Sequence, residues 1–241
     1  MTTQVSVLMP TRGRPEMARE SLASLVEHCS DLYKIEVLIA LDPDDRSAPQ
    51  TREVIRELGV NTMTITVRQR MGYHRLNEYF DLLAKQALGD WLLLWNDDAV
   101  MTTHGWDLGI TRLGPEVVVA DLWCPPHSPS LCTFPAVRKW AVDELGHFSR
   151  HTPHCDTYWQ DMARSIPGGI VHVMEAVVRH DRHDISGRPL DLTRLEALQG
   201  YRQSEFYSAP VQEAIGRDAA RLTQAHSARL AGLGLGTARS G

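Results

Sequence analysis

The 241-residue chain is poor in cysteine, in long apolar runs and in net charge. Its four cysteines, Cys29, Cys124, Cys132 and Cys155, form no CxxC pair, and their spacing fits no zinc ribbon or finger. This excludes a disulfide-stapled miniprotein, and free thiols suit a reducing compartment. The first apolar run, Val5–Met9, has no basic segment before it and is too short for a signal peptide or a membrane span. The longest later run, Trp91–Trp95, is strand-sized. A soluble cytoplasmic protein is therefore expected. Lys and Arg number 25 against 30 Asp and Glu, a formal charge of −5, which gives no sequence-wide attraction to nucleic acid or anionic membrane. Internal repeats and low-complexity blocks are absent.

What is there is ordinary globular material: 43% apolar and 23% charged residues. At roughly 150 residues per domain the length allows one large domain, or one domain with an appendage. Val5–Met9 reads as a strand closed by Pro10, and Pro15 opens an amphipathic helix carrying Ala18, Leu22, Leu25 and Val26. Ile35–Leu41 is a second strand, 47–58 a helix ended by Gly59, and Thr62–Val67 a β-branched third strand. Leu76, Tyr79, Phe80, Leu83, Ala87 and Leu88 mark the clearest helix. Trp91–Trp95 is apolar at every position, as a strand buried on both faces is, and Val117–Leu122 is another of this kind. Alternating strands and helices predict an α/β fold with a mostly parallel central sheet. Beyond Trp123 four prolines mark an irregular stretch. Helices follow near 137–145 and 156–166, with a short strand at Ile170–Met174. From about 185 a polar arm with helical pieces leads to a glycine-rich, mobile tail.

In open α/β sheets ligands bind beyond the carboxyl ends of the strands. Those ends carry Thr11, Arg12 and Arg14; Asp42, Asp44 and Asp45; Arg68, Arg70 and Arg75; and Asn96, Asp97 and Asp98. A rim that mixes carboxylates with arginines suits a hard divalent cation holding a phosphorylated ligand. Carboxylates after strands also serve as caps and turn formers, so Asp42–Asp45 alone is ambiguous. Adjacent Asp97 and Asp98 are more pointed, because two carboxylates at the mouth of a buried strand repel one another.

The order of these signals resembles a family 2 glycosyltransferase of the GT-A fold, over about residues 4–190. Val5–Pro15 resembles the family's first strand and Pro-Thr…Arg turn. Gly72–Asn77 resembles its Gly…Arg-Asn element, and Gly89–Asp98 the strand leading to a DxD-like motif. The resemblance implies a nucleotide-sugar half at about 1–123, an acceptor half at about 124–190, and a C-terminal extension from 191. It implies Asp42 beside the nucleobase or ribose. It puts Arg75 near the diphosphate, with Arg68 and Arg70 as competitors. Asp98 is implied as the metal ligand. Asn96 replaces the motif's first acid and cannot neutralise a cation, leaving Asp97 as its substitute. The late histidine of the metal shell is His180, with His183 in reserve. The catalytic base is Asp156, with Asp161 in reserve; Asp156 also stands at a helix start, where a cap alone explains an aspartate.

The implied activity is an inverting transfer from a nucleotide-diphosphate sugar, with Mn²⁺ or Mg²⁺, to an acceptor hydroxyl. The acceptor is open: a glycan, a protein side chain, a small molecule or a modified nucleobase. Trp123, Trp140, Tyr158 and Trp159 could stack on it or belong to the core, and His147, His151 and His154 are candidates for the acceptor side. A sugar-phosphate nucleotidyltransferase lacks support, since Thr11–Arg14 has one glycine and no lysine. A non-catalytic sugar-nucleotide or glycan-binding relative is the other alternative, kept alive by Asn96.

Overall fold

The computed structural model describes residues 2–125, 131–181, 195, 196, 198 and 206–235. Strands β1 (Val5–Pro10), β2 (Ile35–Leu41), β3 (Asn61–Thr66) and β4 (Trp91–Leu94) alternate with helices α1 (Pro15–Glu27), α2 (Ala48–Arg56) and α3 (Leu76–Ala84). Then come β5 (Ala99–Met101), α4 (Trp106–Thr111), β6 (Val119–Trp123), β7 (Phe134–Arg138), α5 (Lys139–Leu145), α6 (Cys155–Arg164) and β8 (Ile170–His180). A long helix, α7 (Ala209–Gly232), follows. The sheet order is β3-β2-β1-β4-β7-β6-β8-β5.

The β3-β2-β1-β4 half is parallel throughout. Beyond it the sheet is mixed: β7 runs antiparallel to both β4 and β6, β8 is parallel to β6, and β5 is antiparallel to β8. Strand β7 occupies the stretch that its prolines mark as irregular. Pro135 has no N–H to donate, and the β4 ladder stops one residue short of it, at Leu93 opposite Ala136. Strand β8 runs to His180 rather than ending at Met174, because a bulge carries it past exposed Met174 and Glu175 and re-pairs Val177 with Trp123.

Both faces of the central strands are covered. Trp91, Leu93 and Trp95 pack with α1, α2 and α4, while Leu92 and Leu94 pack with α3, α5 and α6. The C-terminal helix joins the second core: Val211, Ala214, Ile215, Ala219 and Leu222 are buried there, and Tyr158 donates a 2.6 Å bond to buried Asp218. So α7 is built into the domain. Tyr158 and Trp159 are fully buried and Trp140 stacks on His226 at 5.8 Å, which makes these three core residues.

One glycine sets the depth of the central strand. A Cβ on Gly89 would lie 2.7 Å from the Ser6 backbone nitrogen, and the Gly89 N–H donates to Ser6 Oγ at 2.8 Å. Gly89→Ala is expected to destabilise the fold by about 1–3 kcal/mol, read as a lowered midpoint in urea with an unchanged m-value.

Candidate active site

The rim at the carboxyl ends of β1, β2 and β4 is tied into one network. Gly13 takes a left-handed conformation (φ +72°) that turns the chain after β1, and its N–H donates to Asp45 at 3.1 Å. The turn sends Arg12 toward β2 and Arg14 toward β4. Arg12 Nη1 donates to Asp42 Oδ2 at 3.1 Å and to Asp44 Oδ1 at 2.6 Å. Asp42 is buried, and its other oxygen accepts the Tyr79 hydroxyl. Burial and that bond push the Tyr79 hydroxyl up to about 12. The same Tyr79 oxygen accepts the N–H groups of Met71 at 3.0 Å and Gly72 at 3.3 Å, which fixes the loop after β3. Arg70 in that loop brings its Nε to 3.9 Å from Asp42 Oδ2 and pairs with Glu196.

Asp97 and Asp98 diverge at the mouth of β4. Asp97 turns inward, accepting Thr11 Oγ1 at 2.6 Å and Arg14 Nη1 at 2.8 Å. Burial lifts its carboxyl above the usual range despite Arg14. Both Asp97 oxygens are thus engaged in holding the β1 turn. Asp98 turns the other way, and its Oδ1 lies 3.1 Å from His180 Nε2. The β5–β8 ladder places Ala99 opposite His180, and the Asp181 N–H donates to the Asp98 carbonyl at 2.7 Å, so backbone pairing creates this juxtaposition. Burial would raise the Asp98 carboxyl, but the His180 bond and charge, with Arg14, hold it below the ordinary value. Two donor atoms each about 2.1 Å from an octahedral cation at right angles lie about 3 Å apart, so this pair fits adjacent positions on one hard divalent ion. Among the described residues no group of three or more His, Cys, Asp or Glu converges on one point. Any such ion would take further ligands from water or from a bound ligand.

Asp156 stands in the first turn of α6, a helix that packs across β6, β7 and β8 and leads into β8. Burial raises the Asp156 carboxyl; the Thr157 N–H, donating at 2.7 Å, and nearby His154 oppose this. The Phe134 ring meets His180 edge-on at 5.0 Å, so the 132–134 segment packs against one member of the Asp98–His180 pair. It is latched by Asp121, which accepts the Thr133 N–H at 3.2 Å, and by Gln160, which accepts the Cys132 N–H at 2.6 Å.

Other expected residues have mostly local partners. Arg68 is exposed, and Arg75 donates two 2.5 Å bonds to Glu78 one turn along. Asp161 is five residues beyond Asp156, 3.7 Å from Arg164. The Asn96 carbonyl accepts Ser21 Oγ at 2.9 Å, a backbone role. His147 lies 3.2 Å from Asp218 in the α6–α7 contact, and exposed His151 has a left-handed backbone. His154 lies edge-on to Tyr73 and Phe206. His183 falls outside the described residues. Tyr79 and Glu196 are site residues that sequence reading misses. Tyr79 falls in the apolar stripe of α3, and Glu196 carries no signal of its distant partner.

The profile of the family described as Glycosyl transferase family 2 matches residues 6–113, the segment holding Thr11, Asp42 and Asp98. Solved structures share the fold of the chain that carries this segment. The mannosyltransferase PcManGT of Pyrobaculum calidifontis, in complex with GDP-Man and Mn²⁺, aligns with TM-score 0.61 and 14% identity, covering 97% of this chain and 80% of that one. S. aureus TarS 1–349 aligns with TM-score 0.59 and 15% identity, covering 74% and 60%. GalNAc-T7 with UDP, GalNAc and Mn²⁺ aligns with TM-score 0.58 and 11% identity, covering 92% and 54%. These likenesses establish a GT-A fold. This chain spans about 60% of the length of TarS 1–349. No curated protein matches it. Among the described residues no helix is long and apolar enough to cross a membrane.

Proposed function

We propose that this chain is an inverting, divalent-metal-dependent glycosyltransferase that moves a sugar from a nucleotide-diphosphate donor to an acceptor hydroxyl. The observation that carries this reading is the convergence of Asp98 Oδ1 and His180 Nε2 to 3.1 Å, next in sequence to Asp97, which holds the arginine-bearing β1 turn. Supporting it are the family 2 segment and fold relatives whose crystals hold GDP-Man, UDP and Mn²⁺.

Asp98 and His180 would hold Mn²⁺ or Mg²⁺. Such an ion supplies charge neutralisation for the departing diphosphate. The chain's own groups do the rest. Arg12 and Arg14, held by Asp42, Asp44 and Asp97, would offer guanidinium N–H donors to the phosphates. The nucleoside end lies along the β1–β2–β3 rim, against Asp42 and Arg70. Asp156 accepts the proton of the acceptor hydroxyl as that oxygen forms a bond to the anomeric carbon. The bond to the diphosphate oxygen breaks on the opposite face, and the configuration inverts.

A panel of nucleotide-sugars, incubated with the protein and Mn²⁺ and followed by release of nucleoside diphosphate, tests this. Release from one donor class, dependent on the cation, is expected. Neither release nor binding with any donor would overturn it. Binding without release would favour a non-catalytic sugar-nucleotide-binding protein instead. The pH dependence adds a second check. Asp156 works as a base only when ionised, and burial places its carboxyl above the ordinary 3.8. Activity is therefore lost as pH falls through that raised value. A kcat/KM profile measured from about pH 4 upward should show an acid limb with its midpoint above the ordinary carboxylate value.

A further inference from the structure

We infer that Glu196 is a positioning residue for the nucleoside end of the donor site, acting through Arg70. The inference rests on the donor reading above and adds to it a contact from a distant part of the chain. The Glu196 carboxylate takes two donors of the loop after β3: the Arg70 guanidinium, and the Tyr73 N–H at 3.3 Å. Its seat is made by Gly72, whose absent Cβ would lie 2.8 Å from Glu196 Oε1, so any side chain there would displace the carboxylate. On the other side the same loop is held by Tyr79, whose hydroxyl accepts the Met71 and Gly72 N–H groups while donating to Asp42. Residues 70–73 are thus clamped between two anchors, Asp42–Tyr79 and Glu196. The clamp leaves Arg70 Nε 3.9 Å from Asp42 Oδ2.

An arginine 40% exposed would otherwise sample many rotamers. As a surface ion pair the Arg70–Glu196 contact adds little to fold stability. Its consequence is pre-orientation. A guanidinium already held beside Asp42 loses less freedom when a nucleoside arrives, and immobilising such a side chain on binding typically weakens affinity about three- to ten-fold. The ligand chemistry served is a nucleoside with polar edge or ribose hydroxyl groups facing Asp42 and Arg70.

The test is a double-mutant cycle on the whole chain, reading nucleoside diphosphate affinity (UDP and GDP as probes, with Mn²⁺) by calorimetry and donor KM and kcat by turnover. Glu196→Ala is expected to raise Kd and KM about three- to ten-fold with kcat unchanged, and Glu196→Gln, which keeps an acceptor for the Tyr73 N–H, to lie between. In an Arg70→Ala background Glu196→Ala should then have no further effect. A general structural role would instead lower the melting temperature and act equally in both backgrounds. Additive losses, unchanged affinity, or tighter binding in Glu196→Ala would overturn the inference. If the wild-type chain binds neither nucleotide, the donor reading fails with it.

Discussion

Asp98→Ala should reduce cation-dependent turnover by about 10²–10³-fold, the scale expected when charge stabilisation of a leaving group is lost. The argument is geometric. Asp98 and Asp97 are adjacent, yet only Asp98 faces His180, while the Asp97 oxygens are occupied by Thr11 and Arg14. The two substitutions should therefore separate. Asp98→Ala removes the proposed cation ligand and its His180 contact, so Mn²⁺ affinity, followed by EPR, should collapse, with a modest loss of stability. Asp97→Ala strips the β1 turn of its Thr11 and Arg14 contacts and should lower stability while leaving the Asp98–His180 pair in place. Equal Mn²⁺ affinity in wild type and Asp98→Ala would place the cation elsewhere.

Replacing the proposed base has the second large effect. Asp156→Asn should lower kcat about 10²–10⁴-fold while leaving nucleoside diphosphate affinity unchanged. The amide oxygen can still accept the Thr157 N–H, so the helix start is preserved. Stability supplies a control with a definite sign. Asp156 has a folded value raised by burial, so the folded state favours its protonated form. Stability from this group is full at low pH and is lost as pH rises through the folded value. At neutral pH the ionised carboxylate is a burden that the amide removes, and Asp156→Asn should melt no lower than wild type. Full activity in Asp156→Asn would shift the base to another group. Activity lost only together with stability would reduce Asp156 to a helix-start residue.

Much of the parallel half is legible in the sequence because β1, β2 and β4 are buried on both faces and the helices between them are strongly periodic. Trp91–Trp95 is an unbroken apolar run, Val5–Met9 and Ile35–Leu41 are interrupted only by Ser6 and Glu36, and each ends in polar residues of the rim. Past Trp123 the signals weaken for identifiable reasons. β7 hides behind Pro135, which survives within the sheet because the β4 ladder ends beside it. β5 is three residues long, too short for any period to register. β8 is interrupted by exposed Met174 and Glu175 at its bulge, which conceals that His172 and His180 share one strand.

The site follows the same division. Asp98 and His180 can be matched from the order of motifs, and backbone pairing then explains how 82 positions of separation close to 3.1 Å. Arg75 pairs locally with Glu78, three residues on, a contact that the order of motifs does not reveal. The Glu196 contact to Arg70, 126 positions away, leaves no trace in spacing or periodicity.

An inverting transfer proceeds by a single displacement at the anomeric carbon. The direct measurement is proton NMR of the sugar first released when the wild-type chain, with Mn²⁺, hydrolyses an α-linked nucleotide-sugar, recorded before mutarotation. The β-anomer is predicted. Release of the α-anomer would contradict the assignment of Asp156 as the base of an inverting transfer.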